Sequence, residues 1–251
     1  MATSTDTTPA ARWDLPMELI ERGVATTIRL RLYRDGAAHV PTTVTVSVYN
    51  AAGTALVDEA SATISGGESS YTFAGSVTTS EQLGSTYRVV WTADGRTYDI
   101  PAALCRRLVY PTVTDVDVRR RWPYLDSGTR GTLTTAATWQ GLIDDAWITI
   151  QHRLIESGRR PWLILSPGSL REPHLLLAGA RIHDALSARG NPVMQDRADQ
   201  LQRQYDAAWG RVVFDYDTDE DGVVDDPDRR TAAESSVWLG GSPGYGHRWR
   251  W

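Results

Sequence analysis

The apolar periodicity of the chain changes once, at Pro111, and this break constrains the fold more than any single motif. From about Met17 to about Tyr110 apolar residues recur at every second position. Ile28, Leu30 and Leu32 alternate with Arg29 and Arg31; Val44, Val46 and Val48 alternate with Thr45 and Ser47; Tyr87, Val89 and Trp91 alternate with Arg88 and Val90. Successive side chains on a strand point to opposite faces, so each run predicts a half-buried strand. Turn sequences separate the runs, at 34–36, 50–53, 65–67 and 93–95. The Asp94-Gly95 pair predicts a tight hairpin. About seven or eight short strands with regular turns predict an antiparallel sandwich of immunoglobulin-like size, without the cysteine pair of a true immunoglobulin domain.

After Pro111 the period becomes 3.6. Residues 112–122 predict a short helix with Thr114 or Asp115 at its N-cap, closed by Pro123. A longer helix is expected from Thr134 to Ser157, with Trp139, Leu142, Ile143, Ala146, Trp147, Ile150 and Leu154 on one stripe and Gly158 at its end. A second spans Leu170 to Ala188, with Leu175, Gly179, Ile182 and Leu186 in line. A third starts at Pro192 and carries Met194, Ala198, Leu201, Tyr205, Ala208 and Val212. Three long helices with short links predict a bundle. The expected fold class is α+β in two domains. A flexible arm occupies 1–11, a β-sandwich 12–110, a helical domain 111–214, an acidic loop 215–228 and an extended tail 229–251.

The acidic loop, DYDTDEDGVVDDPD, carries eight of the acidic residues and no base. The chain has net charge −5, so the remainder carries −5 − (−8) = +3, too little to imply nucleic-acid binding. Counted from Asp217, carboxylates fall at positions 1, 3 and 5 (Asp217, Asp219, Asp221). Gly222 is at 6, Val223 at 7, Asp225 at 9 and Asp228 at 12. This is the spacing of an EF-hand or dockerin calcium loop: alternate side chains converge on one ion, glycine allows the turn, and the Val223 carbonyl supplies a ligand. Asp228 is shorter than the usual bidentate glutamate, and Pro227 restricts the approach to it. Two readings stand: a structural Ca2+ clip, or a solvated acidic linker.

No catalytic constellation emerges. The GGSPG stretch at 240–244 has the spacing of a nucleophile elbow, but Pro243 lacks the N–H that an oxyanion needs. His174 and His183 are nine residues apart on different faces of one helix and read as surface or inter-helix residues. Asp144 and Asp145 read as a polar face, and Arg119–Arg121 as a solvated or partner-facing surface. Cys105, the single cysteine, forms no internal disulfide. The first residues lack the pattern of a signal peptide, and no apolar run has the length of a membrane span. A non-enzymatic, soluble protein folding in a cytoplasm is expected.

The order of the second half resembles the head–tail adaptor (connector) proteins of long-tailed bacteriophages. It has a short helix in TVTDVDVRRRW, an amphipathic helix, an SGRRPW break, two further helices and a tail ending in aromatics. The resemblance covers Pro111 to Trp251. It implies a ring of subunits, typically twelve, joining the portal of the capsid to a tail-side connector or tail-completion protein, with DNA passing through the channel without sequence-specific binding. It implies a virion protein assembled in the bacterial host cytoplasm, without membrane contact. In such a ring Trp238, Leu239, Tyr245, His247, Arg248, Trp249, Arg250 and Trp251 form the tail that docks on the portal. Trp and Arg are typical interface anchors, which accounts for indoles at the end of a glycine-rich segment. The sandwich departs from the family pattern and is expected on the outer rim. The alternative is a calcium-dependent, dockerin-like module anchoring a β-domain to a protein scaffold, although a dockerin normally carries two such loops.

Overall fold

The computed structural model describes residues 8–126, 138–165, 167–188, 192–214 and 216–217. The protein is α+β, with two β-sheets in its N-terminal part and helices in its C-terminal part. The first sheet contains β1 (Ala10–Arg12), β3 (Thr26–Arg34), β8 (Glu68–Phe73) and β7 (Thr63–Ser65) in that order, with β4 (Ala37–His39) also paired to β3. The second contains β2 (Glu18–Glu21), β10 (Arg96–Cys105), β9 (Gly84–Ala93), β5 (Val44–Tyr49) and β6 (Ala55–Ser61). The alternating residues fall where their spacing requires. Ile28, Leu30 and Leu32 of one sheet and Val44, Val46, Val48, Val89 and Trp91 of the other share one buried cluster. Asp35-Gly36 and Asp94-Gly95 both adopt positive φ at two successive residues, as the twist of a two-residue hairpin demands.

Three expectations change. There are ten strands among the described residues, because β1, β4 and β7 have three residues each and are too short to show a period. The arm assigned to 1–11 overlaps β1: Ala10 and Ala11 pair with Tyr33 and Leu32, and Tyr98 donates its hydroxyl to the Pro9 carbonyl at 3.1 Å. Backbone pairing at an edge needs no apolar pattern, so composition alone misses it. The second sheet is mixed, since β2 runs parallel to β10. Tyr87 is buried and donates to the Gln82 carbonyl at 2.6 Å. This is the hydrogen bond of a tyrosine corner, which in immunoglobulin domains precedes the second cysteine by two residues; here that position is Val89.

The helices are α1 (Asp115–Arg121), α2 (Gln140–Glu156), α3 (Arg171–Ser187) and α4 (Pro192–Trp209). Thr114 caps α1, its amide donating to the Asp117 carboxylate at 3.0 Å. Asp115 accepts from the Trp139 amide at 2.8 Å and so fixes the start of α2. The expected extension of α2 back to Thr134 lies outside the described residues through Ala137. Gly158, at φ 71°, ends α2. The amides of Gly158 and Arg159 donate back to the carbonyls of Ile155 and Leu154, the paired bonds of a Schellman cap. α4 ends before Val212, where Gly210 follows Trp209.

α3 is the central helix of the bundle and is buried on most of its circumference. His174 and His183 are therefore both inside and neither is at the surface. His183 donates from Nδ1 to the Gly179 carbonyl at 2.7 Å, which leaves Nε2 to accept the Tyr124 hydroxyl at 2.7 Å. Burial lowers the pKa of both imidazoles and favours the neutral form. Trp122 lies against Gly179, where an added Cβ would sit 2.2 Å from Cη2 of the indole. Gly179→Ala should destabilise the fold by about 1–3 kcal/mol through overpacking. In urea unfolding, Trp122→Leu should make that second substitution much less harmful; strictly additive losses would mean the two residues do not press on one another.

Candidate functional site

The features that set the direction of the chain converge where sheet meets helix. β10 ends in Ala102-Ala103-Leu104-Cys105, each no more than 1% exposed. Ala102 and Leu104 belong to the core of the sheets, and the turn Pro161–Leu163 packs on the same strand. Burial pushes the Cys105 thiol up to about 12, so it stays protonated and unreactive at neutral pH. The next residue, Arg106, donates its amide to the Trp162 carbonyl at 3.2 Å. After α4 the chain returns across the same segment. Phe214 is buried, with the Arg159 guanidinium 5.4 Å from its ring centre. Tyr216 bridges Ile164, and Asp217 donates its amide to the Leu163 carbonyl at 3.1 Å.

Arg106 and Asp217 thus meet on neighbouring carbonyls of one short turn. Arg106 Nη1 lies 2.7 Å from Asp217 Oδ2, with side-chain exposures of 25% and 1%. A carboxylate this enclosed loses its water and is tolerated only with a charge partner. The pair ties the end of β10, the turn at 161–163 and the segment after α4 into one joint.

A cleft of about 300 Å³ is lined by residues from β1 through β3, the segment after β10 and α2, among them Arg12, Trp13, Asp14, Glu18, Arg29 and Gln151. Arg31 Nη1 joins Asp14 Oδ1 across its lining at 3.2 Å, and two further bonds reach it from distant segments. His152 Nε2 donates to the Asp14 carbonyl at 2.6 Å, and the Leu108 amide donates to Glu21 Oε2 at 3.2 Å. The Glu18 carboxyl is pushed up to about 7, first by burial and then by the Asp14 charge, against the pull of Arg29.

Of the residues singled out in the sequence, Asp217 is placed in this joint as the partner of Arg106. Asp219, Asp221, Val223, Asp225 and Asp228 lie outside the described residues, as do Trp238, Leu239, Tyr245, His247, Arg248, Trp249, Arg250 and Trp251. Asp144 and Asp145 are exposed. Arg119 is paired with Asp115 and Asp126, while Arg120 and Arg121 face solvent. Among the described residues no group of three or more His, Cys, Asp or Glu is gathered in a way that could hold a metal ion. None of their helices is long and apolar enough to cross a membrane. The sequence reading missed Arg106, Glu18 and His152, because their contacts join segments far apart in the chain. The one local trace was Arg106 directly after an unbroken apolar run.

No family model matches the chain, and no curated protein does. The solved structures include a similarity to the S-layer protein rSbsC(31-844), at 18% identity and a TM-score of 0.23. It covers 43% of this chain and 14% of that protein.

Glu18 generates a pH test with a definite sign. Its carboxyl ionises near 4.5 when unfolded and near 7 when folded, so the folded state holds the extra proton between these values. Stability therefore falls as pH rises from 4.5 to 7 and levels off above. In thermal unfolding, Glu18→Gln should raise the Tm above that of the wild type at pH 8, with the difference closing by pH 4.5. A difference that does not change with pH would mean the carboxyl is solvated.

Proposed function

We propose that the chain is a non-catalytic structural protein of a phage head–tail junction, a ring subunit whose C-terminal tail docks on the portal. The observation that supports this reading most is the joint at Arg106 and Asp217. It gives residues 218–251 a fixed point of departure from the helical part. A tail that must reach a neighbouring ring gains from a rigid origin, because only its distal residues then have to be ordered on docking. Repetition around a ring multiplies weak tail contacts by avidity. The order of α1 to α4, one short helix and three long ones, is in keeping with the same resemblance.

In this reading the acidic loop stiffens the first part of the tail, with calcium held by Asp219, Asp221, Asp225, Asp228 and the Val223 carbonyl. Asp217 is shared with Arg106. The dockerin-like alternative fits less well, since a dockerin normally carries two such loops and this sequence shows one.

The full chain should form ring particles by electron microscopy and co-purify with a portal protein encoded beside it. Deleting residues 242–251 should abolish co-purification without unfolding the protein. Chelation with EGTA, or Asp219→Ala with Asp221→Ala, should weaken it. A chain that stays monomeric and captures no portal would overturn the proposal. Full portal binding in the presence of EGTA would reduce the loop to a solvated linker.

A further inference from the structure

Two hairpins from opposite sheets place their turns at one end of the sandwich. Asp35-Gly36 joins β3 to β4, and Asp94-Gly95 joins β9 to β10. In register, Arg34 pairs with Ala37, Leu32 with His39, and Ala93 with Arg96. The two turns thereby bring Arg34, His39 and Arg96 to a shared recess of about 250 Å³, which Tyr98 and Asp94 also line.

Asp94 is the one carboxylate among the residues lining this recess, and it is committed elsewhere. Its Oδ1 accepts the amides of Thr42 and Thr43, each at 2.9 Å. These bonds hold its pKa below the usual carboxylate range, the Thr43 amide first. Arg96 Nη1 is enclosed and has no hydrogen-bond partner among the described residues. A guanidinium donor removed from water and left without an acceptor is disfavoured by its full desolvation penalty. The two arginines outnumber the single carboxylate, with Arg96 partly buried and Arg34 exposed at the rim.

We propose that this recess is a binding site for a compact oxyanion, a phosphate group or a carboxylate, received by Arg96 from inside and Arg34 from the rim. A planar guanidinium fork matches either anion with two parallel hydrogen bonds. Tyr98 fixes the floor, since its hydroxyl is already spent on the Pro9 carbonyl. The site lies at the end of the sandwich and does not depend on the assembly proposed above.

Calorimetry on the full chain tests this with inorganic phosphate and, separately, succinate, each against sodium chloride of equal ionic strength. Saturable heat is expected with at least one anion. Arg96→Gln should weaken it about tenfold or more, the effect of losing a charged hydrogen bond. Arg34→Gln should weaken it less, and Arg88→Gln, whose partner is Asp99, should leave it unchanged. Kosmotropic anions stabilise proteins nonspecifically, so a response retained in both Arg96→Gln and Arg34→Gln overturns the proposal. Absence of saturable heat with both anions also overturns it. Arg96 follows a hairpin turn, so circular dichroism should confirm that its variant folds; if it does not, the Arg34→Gln result decides.

Discussion

Strand β10 is buried on both faces at its end, and this fixes how the two halves of the chain are joined. Ala102 and Leu104 fill the core of the sheets, while the neighbouring Ala103 and Cys105 are equally enclosed. A strand covered on both sides shows an unbroken apolar run in place of alternation. A strand end so enclosed cannot swing, because any rotation would expose apolar surface worth roughly 25 cal/mol per Å². Arg106 follows directly and meets Asp217 from the other end of the helical part. The linker continues into the helical core through Val109 and Val113. The passage from sheet to helix is consequently a joint held by burial, backbone hydrogen bonds and one ion pair.

The rest of the helical part is arranged so that the chain returns to this joint. α3 runs through the middle of the bundle, with α1, α2 and α4 packed on it. Burial favours the neutral form of its two histidines; His183 uses both ring nitrogens in the chain from Tyr124 to Gly179, and His174 donates from Nε2 to the Ile143 carbonyl at 3.1 Å. Asp117, pulled down to about 2 chiefly by its hydrogen bond with Arg171, ties the first turn of α1 to the start of α3. That contribution is present above the ordinary carboxylate pKa and is lost as pH falls toward 2; solvent exposure of Arg171 keeps it modest. The acid side is thus unfavourable to the bundle, while the Glu18 cleft works in the opposite sense between pH 4.5 and 7.

Periodicity in the sequence was sufficient for the α+β class, for the long strands and for the stripe on α2. Ile28, Val46 and Trp91 are buried where their spacing puts them, and Gly158 ends α2 with the expected cap. What escaped were contacts with no local signature. The edge strand β1 is made by backbone hydrogen bonds to β3, and the parallel pairing of β2 with β10 joins segments some eighty residues apart. Asp217 shows the same limit at the candidate site. Its position in the acidic loop suggested a metal ligand, and its spacing alone gave no sign of its pairing with Arg106. Charge spacing reports which side chains alternate along the chain, and only the fold reports which charge is waiting nearby.

The joint can be tested by a double-mutant cycle of Arg106→Met and Asp217→Asn in urea unfolding. A buried ion pair that has lost one partner is destabilised by several kcal/mol, reduced here because Arg106 is partly exposed. A coupling energy of about 1–3 kcal/mol is therefore predicted between the two substitutions, with the double variant less harmed than the sum of the single ones. Additivity within about 0.5 kcal/mol would contradict it, leaving the departing chain without the anchor on which the proposed docking depends.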